Sequence, residues 1–339
     1  MSRETMGWLN ANTLVGVTTE RGTAWHYRAE YQGTESNHYP RAVPIEDVRR
    51  RLFHWQAIEG DVMSSVMLPD GLGVITDPMR KAVVRPDTGT ILGVFRKRYV
   101  IHQYDKWLLE TVAELLDDDL SIGSAGLLRG GAVAWVSVEV PETITTPEGV
   151  AYRPHLLAAA SHDGSTATSY HRCIQLVVCD NTMSAALRES EGHGQNVRVR
   201  HSSRSLERLI EAREALGIVH TIADEFAAEV AELTSVNVSE GDWARFLDSL
   251  VPLPAERGRA RHNAEAKRET LQRIYRDDDR AAPWQGTAFG VLQTVNTMVH
   301  HETTVRGATR AQRNMERAVS GEIDRLDRDT LDRLNAVLV

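Results

Sequence analysis

Cysteine is scarce in this chain of 339 residues, which contains only Cys173 and Cys179. Two cysteines cannot build the disulfide framework that stabilises many small secreted domains. The first residues show no basic start followed by an apolar core, and no run of ~18 apolar residues occurs anywhere. We therefore expect no signal peptide and no membrane contact, and we expect the protein to work in the cytoplasm.

Lysine is also scarce: only four of the 39 basic residues are lysines, and the rest are arginines. Codon use in a G+C-rich genome would explain this bias, and so would selection for arginine, which grips phosphate with two parallel hydrogen bonds. The formal net charge of −8 argues against a protein that coats duplex DNA with its whole surface. A local basic groove remains compatible with that charge.

Three families of catalytic motif are missing. The chain contains no Walker A motif, no G-x-G-x-x-G and no G-x-S-x-G. We therefore expect neither nucleotide hydrolysis nor nicotinamide chemistry, and no cofactor.

The middle of the chain has the clearest pattern of secondary structure. Residues 132–140 alternate between apolar and other side chains, as a strand does, and residues 150–160 and 171–179 predict two more strands. Asp180 or Asn181 then predicts the cap of a short helix that ends at Leu187. These elements form a β-β-β-α unit over about 130–190.

Apolar stripes at helical spacing follow from Ser203 to the end of the chain. The pattern predicts an α+β fold with a central antiparallel sheet and a helical C-terminal half. We place a mixed domain at 1–200 and a helical region at 201–339. Further expectations are a strand over 91–101 that the basic run Arg96-Lys97-Arg98 breaks, a helix capped by Asp105, and a capping pair formed by Ser239 and Asp242.

Six short segments, read together, resemble the phage/plasmid-like protein family (domain of unknown function 932). They are Tyr99–Gln103, Leu127–Gly131, Ser161–Ala167, Leu176–Thr182, Val199–Ser202 and Gly286–Gly290. The resemblance is weakest over the first 45 residues, where only Trp25-His26 fits. It implies a place in phages, prophages or plasmids, and hence in the cytoplasm of a bacterial host. It implies no reaction, since the family has no assigned activity.

One residue pair and one cysteine suggest catalytic chemistry, and each has a simpler alternative. His162-Asp163 is half of a possible metal site, but no further ligand stands at a suitable spacing, and Asp163-Gly164 is typical of a hairpin turn. Cys179 could be a nucleophile at a strand-to-helix turn, or a small buried side chain. We favour the turn and the buried cysteine, and hence no metal and no catalytic residue.

Basic clusters are the remaining candidates for function. The nucleic-acid-binding residues that we predict are Arg96, Lys97, Arg98, Arg172, Arg198, Arg200, His201 and Arg204. Two more clusters lie at 257–268 and 306–317. Each cluster alone could instead be a solvated surface with neighbouring carboxylates.

The sequence hypothesis is a protein that binds and anneals single-stranded DNA. The order of its β-β-β-α unit is similar to that of the Rad fifty-two and RecT/Redβ annealing proteins, which implies a homo-oligomer with DNA in a basic groove. One alternative is a protein-interaction or counter-defence factor in which the apolar helix over 286–299 contacts another subunit. Another is a metal- or thiol-dependent enzyme that uses His162, Asp163 and Cys179.

Overall fold

A computed structural model describes residues 6–24, 27–113, 120–139, 143–176, 182–184, 196–199, 201, 219–306, 310, 313–314, 317 and 322–338. The chain divides into two compact units. Unit 1 comprises Met1–Pro141, His155–His171 and Asn196–Ile218, and unit 2 comprises Glu142–Pro154, Arg172–Gln195 and Val219–Val339.

Unit 1 begins with four short elements, which are α1 (Met6–Asn12), β1 (Thr13–Val15), α2 (Thr18–Arg21) and α3 (Ile45–Arg51). Three longer strands follow and form a sheet of their own: β2 (Ile58–Leu68), β3 (Gly71–Arg85) and β4 (Thr90–Arg96). A π-helical turn (Asp105–Glu110) then continues into α4 (Thr111–Ala113), followed by β5 (Ser121–Leu128) and β6 (Val133–Glu139). Single 3-10 turns occupy Ala29–Tyr31 and Arg129–Gly131.

The larger sheet is antiparallel, with strand order β1-β5-β6-β8-β9-β10. Its other strands are β7 (Ile144–Thr145), β8 (Ala151–Ser161), β9 (Thr168–Leu176), β10 (Thr182–Ser184) and β11 (Asn196–Val199). β7 pairs with β8, and β11 pairs with β9. All seven residues of β6 are buried, so both faces of the strand are covered.

The smaller sheet has strand order β2-β3-β4. β4 pairs only with Arg80–Arg85 of β3, whereas β2 pairs with β3 from Val84 to Gly71. The register shifts between Asp61 and Met63, and Asp77 accepts a hydrogen bond from the Met79 amide in a local turn (2.8 Å). Beyond this irregularity the sheet continues as two strands.

Unit 2 is mainly helical. Its helices are α5 (Val219–Ser235), α6 (Glu240–Leu250), α7 (Arg259–Asp277), α8 (Ala288–Thr297) and α9 (Glu322–Leu338), with a 3-10 turn at Ala282–Trp284 and a π-helical turn at Met298–Glu302. Every residue of α8 is buried. Trp243 of α6 stacks on Tyr275 of α7 with ring centroids 4.0 Å apart, which joins two helices in the core.

The predicted α+β class is confirmed, with antiparallel sheets and a helical C-terminal half. The strands predicted over 132–140, 150–160 and 171–179 form as β6, β8 and β9, although β9 already begins at Thr168. The capping box of Ser239 and Asp242 is also confirmed at the start of α6. The chain thus forms most of the elements that its apolar spacing indicates.

Two local predictions are wrong. Residues 182–184 form β10 rather than a helix, because their backbone pairs with Gln175–Cys173 of β9; residues 185–187 lie outside the described part. Asp105 caps no helix, since its carboxylate accepts from Arg49 Nε (3.0 Å).

The strand predicted over 91–101 is right in its first part only. It ends at Arg96, within the basic run that was expected to break it, and Tyr99 N bonds to Arg96 O (2.9 Å) in the turn that follows.

Membrane-spanning helices were expected to be absent, and no helix in the described ranges combines the length and apolar character needed to span a bilayer.

Candidate functional site

Five aromatic side chains of unit 1 stack into one column. The order is Phe95, Tyr99, His201, His102 and Trp107, with consecutive ring centroids 3.9, 4.8, 3.9 and 3.8 Å apart. Consecutive ring planes differ by only 9–15°. We call this set the aromatic column.

The aromatic column runs from the protein surface into the core. Phe95, Tyr99 and His201 are each half-buried, whereas His102 and Trp107 are buried. At the outer end, Gly93 and Gly164 lie against the Phe95 ring so closely that an added Cβ would meet its carbon atoms at 2.6 and 2.9 Å. The column therefore has a buried inner end and a half-buried outer end, where Phe95 packs against two glycines.

A hydrogen-bond chain fixes the two imidazoles of the column. His201 Nδ1 lies 2.9 Å from Val100 O, which can only accept, so Nδ1 carries the proton. The bare His201 Nε2 then accepts from Thr168 Oγ1 (3.4 Å), and Thr168 Oγ1 in turn accepts from His102 Nδ1 (2.7 Å). This assignment leaves both rings neutral.

Burial keeps these histidines uncharged at neutral pH. Desolvation, followed by the neighbouring imidazoles of His201 and His162, lowers the pKa of His102 to about 3. Desolvation also lowers the pKa of His162 to about 4 and that of His201 below its ordinary value. His102 Nε2 and His162 Nδ1 are buried and have no hydrogen-bond partner in the part of the chain that the structure describes.

A second aromatic group supports the column from within unit 1. The His162 ring stacks on Tyr104 (4.0 Å), and His162 Nε2 donates to His102 O (3.0 Å). Trp55 contacts the edge of both rings, and the Arg85 guanidinium lies 4.6 Å above Trp55. The buried imidazole of His162 therefore positions the backbone of His102.

The turn that follows His162 has a structural role. Asp163 accepts from the Ser165 amide (2.8 Å) and forms an ion pair with Arg129 (3.0 Å). Gly164 has a φ of 76°, as hairpin turns require. This agrees with the hairpin-turn interpretation of Asp163-Gly164.

A basic patch includes the three residues that lie between the two outer rings of the column in the chain. It consists of Arg80, Arg96, Lys97 and Arg98, all of which are exposed. Arg80 and Arg96 are directly opposite each other in the β3–β4 ladder, an arrangement in which like charges repel. Lys97 is 3.5 Å from Asp61, and Arg80 is 3.8 Å from Asp77. Neither the Arg96 nor the Arg98 guanidinium pairs with a carboxylate in the described residues.

The structure brings together four of the eight predicted binding residues. Arg96, Lys97 and Arg98 precede Tyr99 directly, and His201 stacks on Tyr99 from a distant part of the chain. The backbones of Arg172 and Arg198 lie in β9 and β11, and nothing is described of their side chains. Arg200 and Arg204 lie outside the described residues.

The two C-terminal basic clusters include arginines with structural partners. Arg268 donates to the carbonyl of Val251 (2.8 Å), just past the end of α6. Arg310 donates to His300 O (3.4 Å), and Arg317 donates to Val299 O (3.0 Å). These side chains satisfy backbone carbonyls where helices end.

No metal centre forms from the described residues, in which His, Cys, Asp and Glu nowhere gather in threes or more with a suitable geometry. Glu302, which stands beside His300 and His301 in the sequence, forms an ion pair with Arg273 (3.0 Å). Cys173 lies in β9, while Cys179 and His193 are outside the described part.

Sequence reasoning missed most of the column. Phe95, Tyr99, His102, Trp107 and Thr168 were not singled out as site residues. A signal existed, because His102 and His162 lie in two of the segments that carry the family resemblance, and Thr168 follows the second directly. Nothing in the spacing of these segments along the chain indicated that they would be in contact in the folded protein.

Comparison with known proteins gives a family and no activity. No curated protein and no solved structure matches the chain. A family model described as "Domain of unknown function (DUF932)" matches residues 91–320, which is more than half of the chain and includes the whole aromatic column. The chain belongs to this DUF932 family.

Proposed function

We propose that this protein binds single-stranded DNA of a phage or plasmid through unit 1, and that it promotes annealing by binding rather than by catalysis. Arg96, Lys97 and Arg98 would contact phosphates. An unstacked base would continue the aromatic column on the outer face of Phe95. The proposed setting is the bacterial cytoplasm, which the low cysteine content supports.

The observation that carries the proposal is that Arg96, Lys97 and Arg98 lie between Phe95 and Tyr99, the two stacked rings at the outer end of the aromatic column. Single strands are held by basic side chains along the backbone and by aromatic rings on which bases stack. Arg96 ends β4, where neighbouring side chains point to opposite faces, and Lys97 and Arg98 follow in the turn that brings Tyr99 back onto Phe95. A duplex offers its bases only at its ends, so this combination favours a single strand.

The neutral histidines support the stacking role. If His102 and His201 were both protonated, their rings, with centroids 3.9 Å apart, would repel each other. Neutral rings can remain stacked behind Tyr99 and Phe95. The column thus forms a rigid, uncharged support for a base, and the charge that attracts phosphate stands beside it. This separation keeps the binding of phosphates independent of the protonation of the column.

A titration of labelled single strands at rising salt tests the proposal. Three phosphate contacts predict a slope of log affinity against log salt of about −2. In the double variant Arg96→Gln/Arg98→Gln the slope should fall to about −0.7, with affinity at least ~10-fold weaker. Phe95→Ala should weaken binding by roughly tenfold with little change in slope, because stacking is not ionic.

The matched control is Arg257→Gln/Arg259→Gln, which removes the same charge from two exposed arginines of unit 2. Its affinity should equal that of the wild type. Equal weakening of the two double variants would attribute binding to net charge alone and contradict the proposal. So would the absence of wild-type binding below ~100 μM strand at low salt.

A second candidate function is a protein-interaction factor. The observation in its favour is an exposed apolar hairpin in the smaller sheet, where seven large apolar residues of β2 and β3 are exposed between Met63 and Met79.

A further inference from the structure

Among the described residues, no other strand lies beside the outer part of the β2–β3 hairpin, Met63–Thr76. β4 covers β3 only from Arg80 to Arg85, so within the described chain both edges of the outer part lack a neighbouring strand. We call this segment the distal hairpin. A two-stranded ribbon alone is marginally stable in water, since it buries too little apolar surface.

One face of the distal hairpin is apolar and exposed. Met67 lies directly opposite Leu72, and Met63 and Val74 point to the same face because paired residues share a face and the side-chain period is two. These four residues are 79%, 75%, 60% and 65% exposed. An edge hairpin in contact with water normally carries charged side chains, whereas this face of the distal hairpin is apolar.

We infer that the distal hairpin is a self-association surface, and that the apolar face packs against the same face of a second copy of this chain. The four residues of the apolar face expose an area on the order of 500 Å², so two copies would bury about 1,000 Å² together, the lower bound for a biological interface. The inference is independent of the proposed DNA binding.

The charge distribution favours a second copy over other occupants. Residues 62–76 contain a single charged residue, Asp70, at the tip of the hairpin. A carboxylate at the tip disfavours insertion into lipid and contact with phosphate. An isologous contact has two-fold symmetry, and a two-fold axis perpendicular to the strands keeps the two Asp70 carboxylates apart and places each tip near the base of the other hairpin. Asp70 of one copy would then approach Arg80 of the second copy, which neutralises both charges.

The mass of the full chain in solution tests the inference. The wild type should be a dimer at ~10 μM, and Met67→Glu/Leu72→Glu should raise the dissociation constant more than ~100-fold, because each dimer would bury four carboxylates in an apolar contact. Ile91→Glu is the control, since Ile91 is 63% exposed on β4 of the same sheet but outside the distal hairpin. It should leave the dimer intact.

Exchanging the charges of Asp70 and Arg80 and measuring the strength of the dimer supplies a second test. Asp70→Arg and Arg80→Asp should each weaken the dimer, and the two substitutions combined in one chain should restore it. Circular dichroism confirms that the variants fold. A monomeric wild type at ~100 μM would overturn the inference, as would a dimer that the Glu variant leaves unchanged. Co-sedimentation of a monomeric wild type with phosphatidylglycerol vesicles would identify a lipid-binding hairpin instead.

Discussion

The imidazoles of His102 and His201 stack with centroids 3.9 Å apart and ring planes 15° apart, although one follows β4 and the other follows β11. Thr168 joins them through hydrogen bonds to both rings. The contact holds the chain after β11 against Val100, and it depends on both rings being neutral. Protonation of either ring would therefore weaken the fold as well as change the site.

The free energy of unfolding should fall as the pH is lowered from about 6.5. The pKa of His102 is about 3, that of His162 about 4 and that of His300 about 3, so between these values and 6.5 the unfolded chain binds protons that the folded chain does not. Each histidine then removes up to about 1.4 kcal/mol per pH unit. Stability is fully present above pH ~6.5 and is lost towards pH ~4.

Urea unfolding at pH 7, 6 and 5 measures this effect. His162→Gln is the informative variant, because it removes one titrating group and should reduce the loss per pH unit by about 1.4 kcal/mol. His54→Gln serves as the control, since it removes an exposed imidazole in place of a buried one. A wild type with constant stability from pH 7 to 5 would show that these histidines are not buried in neutral form.

Two adjacent glycines in the turn after β5 both need a positive φ, but only one of them is also packed closely against other side chains. Gly130 and Gly131 have φ values of 69° and 96°, which favour glycine. A Cβ on Gly130 would meet nothing within 4 Å, whereas a Cβ on Gly131 would lie 2.7 Å from Arg85 Nη1 and 3.2 Å from the Trp55 ring. Arg85 cannot retreat easily, because it binds Asp87 through two nitrogens and donates to Gly130 O.

We expect Gly130→Ala to lower the free energy of unfolding by about 1 kcal/mol and Gly131→Ala by roughly 3 kcal/mol. Thermal or urea unfolding of the two variants gives the difference directly. Equal losses would mean that Arg85 and Trp55 adjust freely, and that the contact between Trp55 and His162 is not held by this turn.

The sequence indicates the elements of the fold better than the contacts of the site. Alternation in residues 132–140 and helical spacing after Ser203 follow from local periodicity, and both predict real elements. The helix expected at Asp180 has a good cap, but strand pairing with β9 prevails at 182–184. The aromatic column joins residues from 95 to 201, and no local pattern specifies such a meeting. Arg96–Arg98 could be singled out as a basic cluster from the sequence because the three residues are adjacent.

Arg317 provides a test of the C-terminal basic cluster, which the sequence could not distinguish from a phosphate-binding one. Its side chain is only 11% exposed, and it donates to Val299 O and to Glu322 (3.1 Å). Because these bonds connect the end of α8 to the start of α9, Arg317→Gln should lower the free energy of unfolding by about 1–3 kcal/mol.

The affinity of the Arg317→Gln variant for single strands should not change at a temperature where the variant is folded. Arg257→Gln, at an exposed position, should change neither quantity. Loss of strand affinity in Arg317→Gln without loss of stability would assign this cluster to DNA binding and move the interface from unit 1 to unit 2.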